Sequence, residues 1–171
     1  MFSARWQNAY RHFLLPEPSP FADIRPFKES PHLYVSKIDP CALLKSARSE
    51  LPGLSQPAYV AFLLSLVCGM RRSEIDYLSW AQIDFDKSHI WIQTTPYFTP
   101  KANNSASRID APSMIFQALL ALRDEGHPPP FVIPGSQNHS IRPRARNVFR
   151  ILLDWLRSKG VTDIKAMHTL R

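Results

Sequence analysis

From residue 37 to about residue 78 the apolar positions recur at helical spacing. Asp39-Pro40 reads as a helix start, a capping side chain followed by proline at the first helical position. That helix turns Leu43, Leu44 and Ala47 inward and is expected to end before Pro52-Gly53. A second helix after Gln56-Pro57 has Val60, Leu63, Leu64 and Val67 as its buried face. Gly69 interrupts it, and a short helix resumes over residues 71–78. The period then changes to two. Ile90 and Ile92 alternate with bulkier or polar residues over residues 89–94, which predicts a strand, and residues 107–111 read as its antiparallel partner, ended by Pro112. Residues 96–106 form the polar connection between them, a hairpin tip. Ser113 is expected to cap a helix carrying Ile115, Leu119 and Leu122, which Pro128-Pro129-Pro130 breaks. Finally Val148, Leu152 and Trp155, flanked by Phe149, Leu153 and Leu156, predict an amphipathic helix over residues 143–157, ended by Gly160. The fold class is mainly α with a small antiparallel β-sheet (α+β).

Residues 1–36 follow no such pattern. A short amphipathic stretch around Trp6, Tyr10, Phe13 and Leu14 gives way to Pro16, Pro18, Pro20, Pro26 and Pro31. Prolines at that density forbid a regular element, so residues 16–36 read as an extended tether arriving from something upstream. The domain proper is expected to occupy residues 37–171.

Composition narrows the partner. The apolar share of 44% suits a globular chain, and the longest apolar stretch, Ala58 to Gly69, is too short to cross a bilayer. Cys41 and Cys68 make no disulfide framework and no zinc cluster, and both read as small buried hydrophobes in a reducing, cytoplasmic compartment. Net charge is +7, and the segment 134–171 carries almost all of it: Arg142, Arg144, Arg146, Arg150, Arg157, Lys159, Lys165 and Arg171 face only Asp154 and Asp163. A concentrated positive field fits a polyanion. No lipid-anchor motif or interfacial helix accompanies it, which favours nucleic acid over a membrane surface.

Two short strings carry chemistry. In Gly69-Met70-Arg71-Arg72-Ser73-Glu74 the glycine permits a sharp turn and Arg71 falls at the start of a new helix, where guanidinium and free amides can meet one anion. In His168-Thr169-Leu170-Arg171 the histidine and arginine stand three apart on one helical face, with Leu170 turned to the core. Each alone is a weak signal. Together, in this order and 97 residues apart with a lysine-bearing hairpin between, they resemble the tyrosine recombinase (phage integrase) family, whose members show Gly-x-Arg-x-x-Glu, a hairpin lysine and His-x-Leu-Arg. The resemblance covers residues 37–171 and makes residues 1–36 the remnant of an upstream DNA-binding domain plus an interdomain linker.

What the resemblance implies is specific. Double-stranded DNA is the partner, and the nucleophilic tyrosine of such enzymes forms a 3′-phosphotyrosine that conserves the bond energy, so no cofactor, metal or small-molecule substrate is called for. Arg71 and Arg171 would neutralise the phosphate, Lys101 at the hairpin tip would protonate the leaving 5′-oxygen, and His168 would assist proton transfer at the tyrosine or hydrogen-bond a phosphate oxygen. Arg72, Arg108, Arg142, Arg144 and Arg146 are the expected DNA-binding cations. Family members act as tetramers on two duplexes, which implies a homo-tetramer and nucleoid association. The departure from the pattern is the tyrosine. None of Tyr10, Tyr34, Tyr59, Tyr77 and Tyr97 lies after His168, so the expectation is a catalytic domain incomplete at its C-terminus and inactive by itself. A non-catalytic DNA-binding or accessory module is the alternative, and a basic scaffold that binds protein is a third reading. Neither requires the placement of Arg71, Lys101, His168 and Arg171.

Overall fold

The computed structural model describes residues 38–100, 106–126, 129–138, 143–161 and 170. Helix α1 (Pro40–Leu54) starts where capping chemistry puts it, with Asp39 Oδ1 accepting from the N–H groups of Cys41 (2.9 Å) and Ala42 (3.1 Å). It continues past the expected stop at Pro52. A proline in the last turn removes only one backbone bond, and Ser55 N–H still closes onto Leu51 O at 2.7 Å. Ser55 then caps α2 (Gln56–Leu66), its Oγ accepting from Ala58 N–H at 3.3 Å. Here the expectation of one apolar face is too narrow. Every residue from Pro57 to Ser65 is buried, because α2 runs between the other long helices and has no side left for water.

Gly69, at φ +63°, turns the chain out of α2, with Met70 N–H reaching back to Leu64 O (3.1 Å). The short α3 (Arg72–Asp76) follows, and then a tight turn over Trp80–Gln82. The sheet has three antiparallel strands in the order β1 (Ile83–Asp84), β2 (His89–Ile92), β3 (Ser107–Asp110). The first was not expected, since two residues are too few to show alternation. Ile90 pairs with Ile83 on one side and Ile109 on the other, while Trp91 and Arg108 pair on the outer face. Helix α4 (Ser113–Asp124) has Pro112, not Ser113, at its cap: Ile115 N–H bonds Pro112 O at 2.9 Å, which draws Ser113 inside the helix.

Helix α5 (Arg146–Ser158) begins three residues later than its apolar pattern predicts. The cause is Asp76, 2% exposed. Its Oδ2 accepts from Arg144 N–H and its Oδ1 from Ala145 N–H, both at 2.7 Å, so these amides serve the carboxylate instead of a helical turn. The Arg144 side chain comes back to the same residue, donating to Asp76 O from Nε (3.2 Å) and Nη2 (3.0 Å), and Nη2 also donates to Ile133 O. Its guanidinium lies 4.1 Å from the Phe131 ring centroid. Gly135 backs onto this strut so closely that a Cβ there would meet Arg144 O at 2.6 Å.

The core gathers Leu43, Ala47 and Leu51 of α1, all of central α2, Ile115, Leu119 and Leu122 of α4, and Val148, Phe149, Leu152, Trp155 and Leu156 of α5. Phe62 and Trp155 meet edge to face at 5.4 Å. Trp155 Nε1 donates to Glu50 Oε2 (2.9 Å) and Lys159 Nζ reaches Glu50 Oε1 (2.6 Å), joining α5 to α1. Cys68 is half-buried, and burial pushes its thiol up to about 11, but Cys41 is exposed on α1, contrary to the reading of both cysteines as core. The expected tether (residues 16–36), the start at Lys37 and the hairpin tip at 101–105 lie outside the described residues. No helix among the described residues is long and apolar enough to cross a membrane.

Two stability predictions follow from these bonds. The hydrogen bonds from Lys159 and Trp155 hold the Glu50 carboxyl below its ordinary value of 4.5, so its contribution is present above that value and is lost as the pH falls through the lower folded one. Thermal melting should therefore show Glu50→Gln below the parent at pH 7, with the gap closing as the solution is acidified past 4.5. Asp76→Ala leaves two buried amides without their acceptor and removes a negative charge that acts on the Arg144 guanidinium, and denaturant titration should show a loss of about 1–3 kcal/mol for each stranded amide.

Candidate functional site

Arg71 is held through both its backbone and its side chain. It caps α3 in an extended conformation (φ −73°, ψ 151°), immediately after the Gly69 turn. Glu74, 8% exposed, grips it twice: Oε2 accepts the Arg71 backbone N–H at 2.6 Å and Oε1 pairs with Nη1 at 2.9 Å. A guanidinium carries five N–H donors, and the bond to Glu74 uses Nη1 alone. Glu74 thus orients the group without consuming it, and the Arg71 side chain remains 46% exposed. This gives the Gly-x-Arg-x-x-Glu string a physical content: the glycine turns, the arginine projects, the glutamate aims.

The arginine opens onto a cleft of about 950 Å³. Its described lining comes from α3 and its flanks (Arg71, Arg72, Ser73, Glu74, Asp76, Tyr77), from the stretch Thr95–Thr99 that follows β2, and from Pro143. Arg72 shares the cleft but is held differently. Its guanidinium lies 4.6 Å from the Phe149 ring centroid, and its Nε is buried without a hydrogen-bond partner. Burial lowers its pKa from the usual arginine value, and Asp76 opposes that shift. Arg71 therefore offers donors at the surface, while Arg72 is half-committed to packing on α5.

The other expected cations separate into groups. Arg108 is exposed on the outer face of β3, with Nε 3.2 Å from Asp110 Oδ1, and Arg146 is exposed at the start of α5. Arg144 departs from its expected DNA-facing role. At 3% exposure, with Nε and Nη2 donating to Asp76 and Ile133, it braces the fold from inside, and burial lowers its pKa while Asp76 and Tyr77 resist. Lys101, Arg142, His168 and Arg171 lie outside the described residues. Between the last two, Leu170 is 4% exposed and belongs to the core, the side on which its place in His-x-Leu-Arg puts it.

Sequence reasoning missed the wall opposite α3. Residues 96–106 read as a polar hairpin tip, yet Tyr97 and Phe98 line the cleft. The adjacent aromatic pair inside an otherwise polar connection was the available signal. Asp76 was missed for a different reason: nothing in the local pattern distinguishes a carboxylate that will bind backbone amides 68 residues away.

No family model matches the chain, and no curated protein matches it. Solved structures do. The chain is similar to XerA recombinase at 17% identity and a TM-score of 0.56, covering 94% of this chain and 53% of that one. It is similar to the Tn1549 transposon integrase in complex with transposon right end DNA at 17% identity and a TM-score of 0.57, covering 98% of this chain and 60% of that one. The same integrase in complex with a circular intermediate DNA gives 15% identity and a TM-score of 0.58, with the same coverage of 98% and 60%. The chain thus spans between 53% and 60% of the length of these structures. Mostly helical, with a small three-stranded antiparallel sheet among the described residues, the chain has the fold of a tyrosine recombinase catalytic domain.

Proposed function

We propose that this chain supplies the phosphate-gripping part of a site-specific DNA recombinase that cuts and rejoins strands through a 3′-phosphotyrosine. The observation that carries the reading is Arg71, aimed by a buried glutamate into an open cleft. The matched fold, in structures solved with DNA, supports the same partner.

A phosphodiester already bears one negative charge and gains more as a fifth oxygen approaches phosphorus. An arginine answers this twice, by parallel hydrogen bonds and by a charge it cannot lose. In this reading Arg71 and Arg171 hold the non-bridging oxygens. A tyrosine oxygen bonds to phosphorus, the bond from phosphorus to the 5′-oxygen breaks, and Lys101 delivers the proton that lets that oxygen leave as a hydroxyl. His168 takes part in proton transfer at the tyrosine or bonds a phosphate oxygen. Rejoining reverses these steps, so the bond energy is kept and no nucleotide is consumed. Arg108, Arg142 and Arg146 contact the DNA backbone, and the working assembly is a homo-tetramer on two duplexes. We assign the nucleophile to a tyrosine outside these 171 residues, so this polypeptide alone binds DNA without cutting it.

Binding of duplex DNA by the 171-residue chain should weaken steeply as salt rises and show little sequence preference. Affinity independent of salt would favour a protein-binding scaffold. With a nicked suicide duplex the chain should form no covalent adduct on a denaturing gel. A protein extended downstream by roughly sixty residues, room for two or three more helices, should form one. In that protein Arg71→Ala should slow adduct formation about 100- to 1,000-fold while leaving most of the binding. Lys101→Ala should slow cleavage of an ordinary strand and matter little when sulfur replaces the leaving oxygen. An adduct formed by the 171-residue chain itself would overturn the assignment of the nucleophile. Intact adduct formation by Arg71→Ala would leave only a DNA-binding module.

A further inference from the structure

The wall of the cleft built from residues 95–99 is a closed turn, held by its own hydrogen bonds. Thr95 N–H donates to Phe98 O (2.8 Å) and Phe98 N–H to Thr95 O (3.3 Å). Thr95 Oγ1 accepts from the N–H groups of Tyr97 (3.3 Å) and Phe98 (3.1 Å). Four bonds across four residues set this backbone before any ligand arrives, which lowers the ordering cost of binding.

The rings on the turn are braced from behind. Tyr97 meets Phe131 edge to face at 5.1 Å, and Phe98 stacks with Tyr77 at 6.1 Å and an interplanar angle of 14°. Tyr77 in turn meets Phe131 at 6.1 Å, and the buried Arg144 guanidinium lies over that ring. A phenylalanine at 1% exposure therefore supports two aromatic side chains of the cleft lining. Tyr97 nonetheless stays 36% exposed in the same cleft as Arg71. A supported aromatic ring lining the same cleft as an oriented cation has the two features of a nucleotide site, a π-face for the base and a charge for the phosphate. Phosphate alone would gain nothing from the ring.

We propose that Tyr97, set by the Thr95–Phe98 turn, is a stacking platform for an unpaired nucleobase on the DNA strand whose phosphate Arg71 holds. This inference rests on the phosphate-binding reading of the cleft. The base must be unpaired because in an intact duplex both of its faces are covered by neighbouring bases. The platform reads no sequence, since every base has a π-face. It favours a strand that is open beside the gripped phosphate.

The test uses the 171-residue chain and two labelled single-stranded oligonucleotides of equal length, one of thymidines and one with abasic sugars at the central positions. Fluorescence anisotropy should show tighter binding of the thymidine strand. Tyr97→Ala should weaken that binding roughly 5- to 100-fold and leave the abasic strand unchanged, while Tyr97→Phe, which keeps the ring, should match the parent on both. 2-Aminopurine placed in the thymidine strand should be quenched by the parent and by Tyr97→Phe but not by Tyr97→Ala. Arg71→Ala should weaken both strands alike. If Tyr97→Ala changes both strands by one common factor, or leaves the quenching intact, there is no platform, and the Arg71 reading stands. If Arg71→Ala affects neither strand and binding ignores salt, the phosphate reading fails, and the platform with it.

Discussion

A carboxylate buried as deeply as that of Asp76 must find donors or lose its charge, and it finds them in a remote part of the chain. The amides of Arg144 and Ala145 close on its two oxygens at 2.7 Å, and the Arg144 guanidinium returns to the Asp76 carbonyl. This exchange ties α3, the helix that presents Arg71, to the residues just before α5. It also draws in Ile133, which accepts from Arg144, and Gly135, which has no room for a side chain beside it. Three stretches far apart in sequence thereby share one anchoring group. Asp76 itself, with Pro143 just before Arg144, is in the lining of the cleft.

The same interaction changes the meaning of the basic segment. Eight cations against two aspartates over residues 134–171 suggest a broad DNA-facing surface. Among the described ones, Arg144 is internal, Arg157 pairs with Asp154 at 2.9 Å and Lys159 with Glu50 at 2.6 Å. Exposed ion pairs of this kind contribute little to stability, yet they redirect charge that would otherwise be open to a polyanion. Arg146 and Arg150 remain exposed on α5. Net charge over a segment is thus a poor guide to which of its cations stay open to solvent.

Around the cleft, order is imposed on the protein before anything binds. Glu74 aims Arg71, Phe149 carries Arg72, and the Thr95–Phe98 turn holds its rings against Phe131 and Tyr77. Groups whose position is set in the unbound state need little reorganisation as charge develops on a phosphate, and such preorganisation is where electrostatic stabilisation is strongest. Arg72 is thus held by packing on Phe149 and Arg71 by the Glu74 carboxylate, with Glu74 and Asp76 both in the lining.

The helices, the central pair of strands and the motif around Arg71 were legible in the sequence because each depends on neighbours within a few residues. Caps, alternating isoleucines, a glycine before an arginine and a glutamate three positions on all act locally. Leu170 fell in the core as the spacing of His-x-Leu-Arg required. What escaped the sequence depends on residues brought together from far apart. The complete burial of α2 needs its flanking helices. The late start of α5 and the internal fate of Arg144 need Asp76, 68 residues away. The aromatic wall needs Phe131, because a tyrosine and a phenylalanine in a polar loop become a surface only when something rigid stands behind them. Local pattern decided which elements form. Long-range hydrogen bonding and ring packing decided which charges stay inside and which face the cleft, since only the folded chain sets the distances on which both depend.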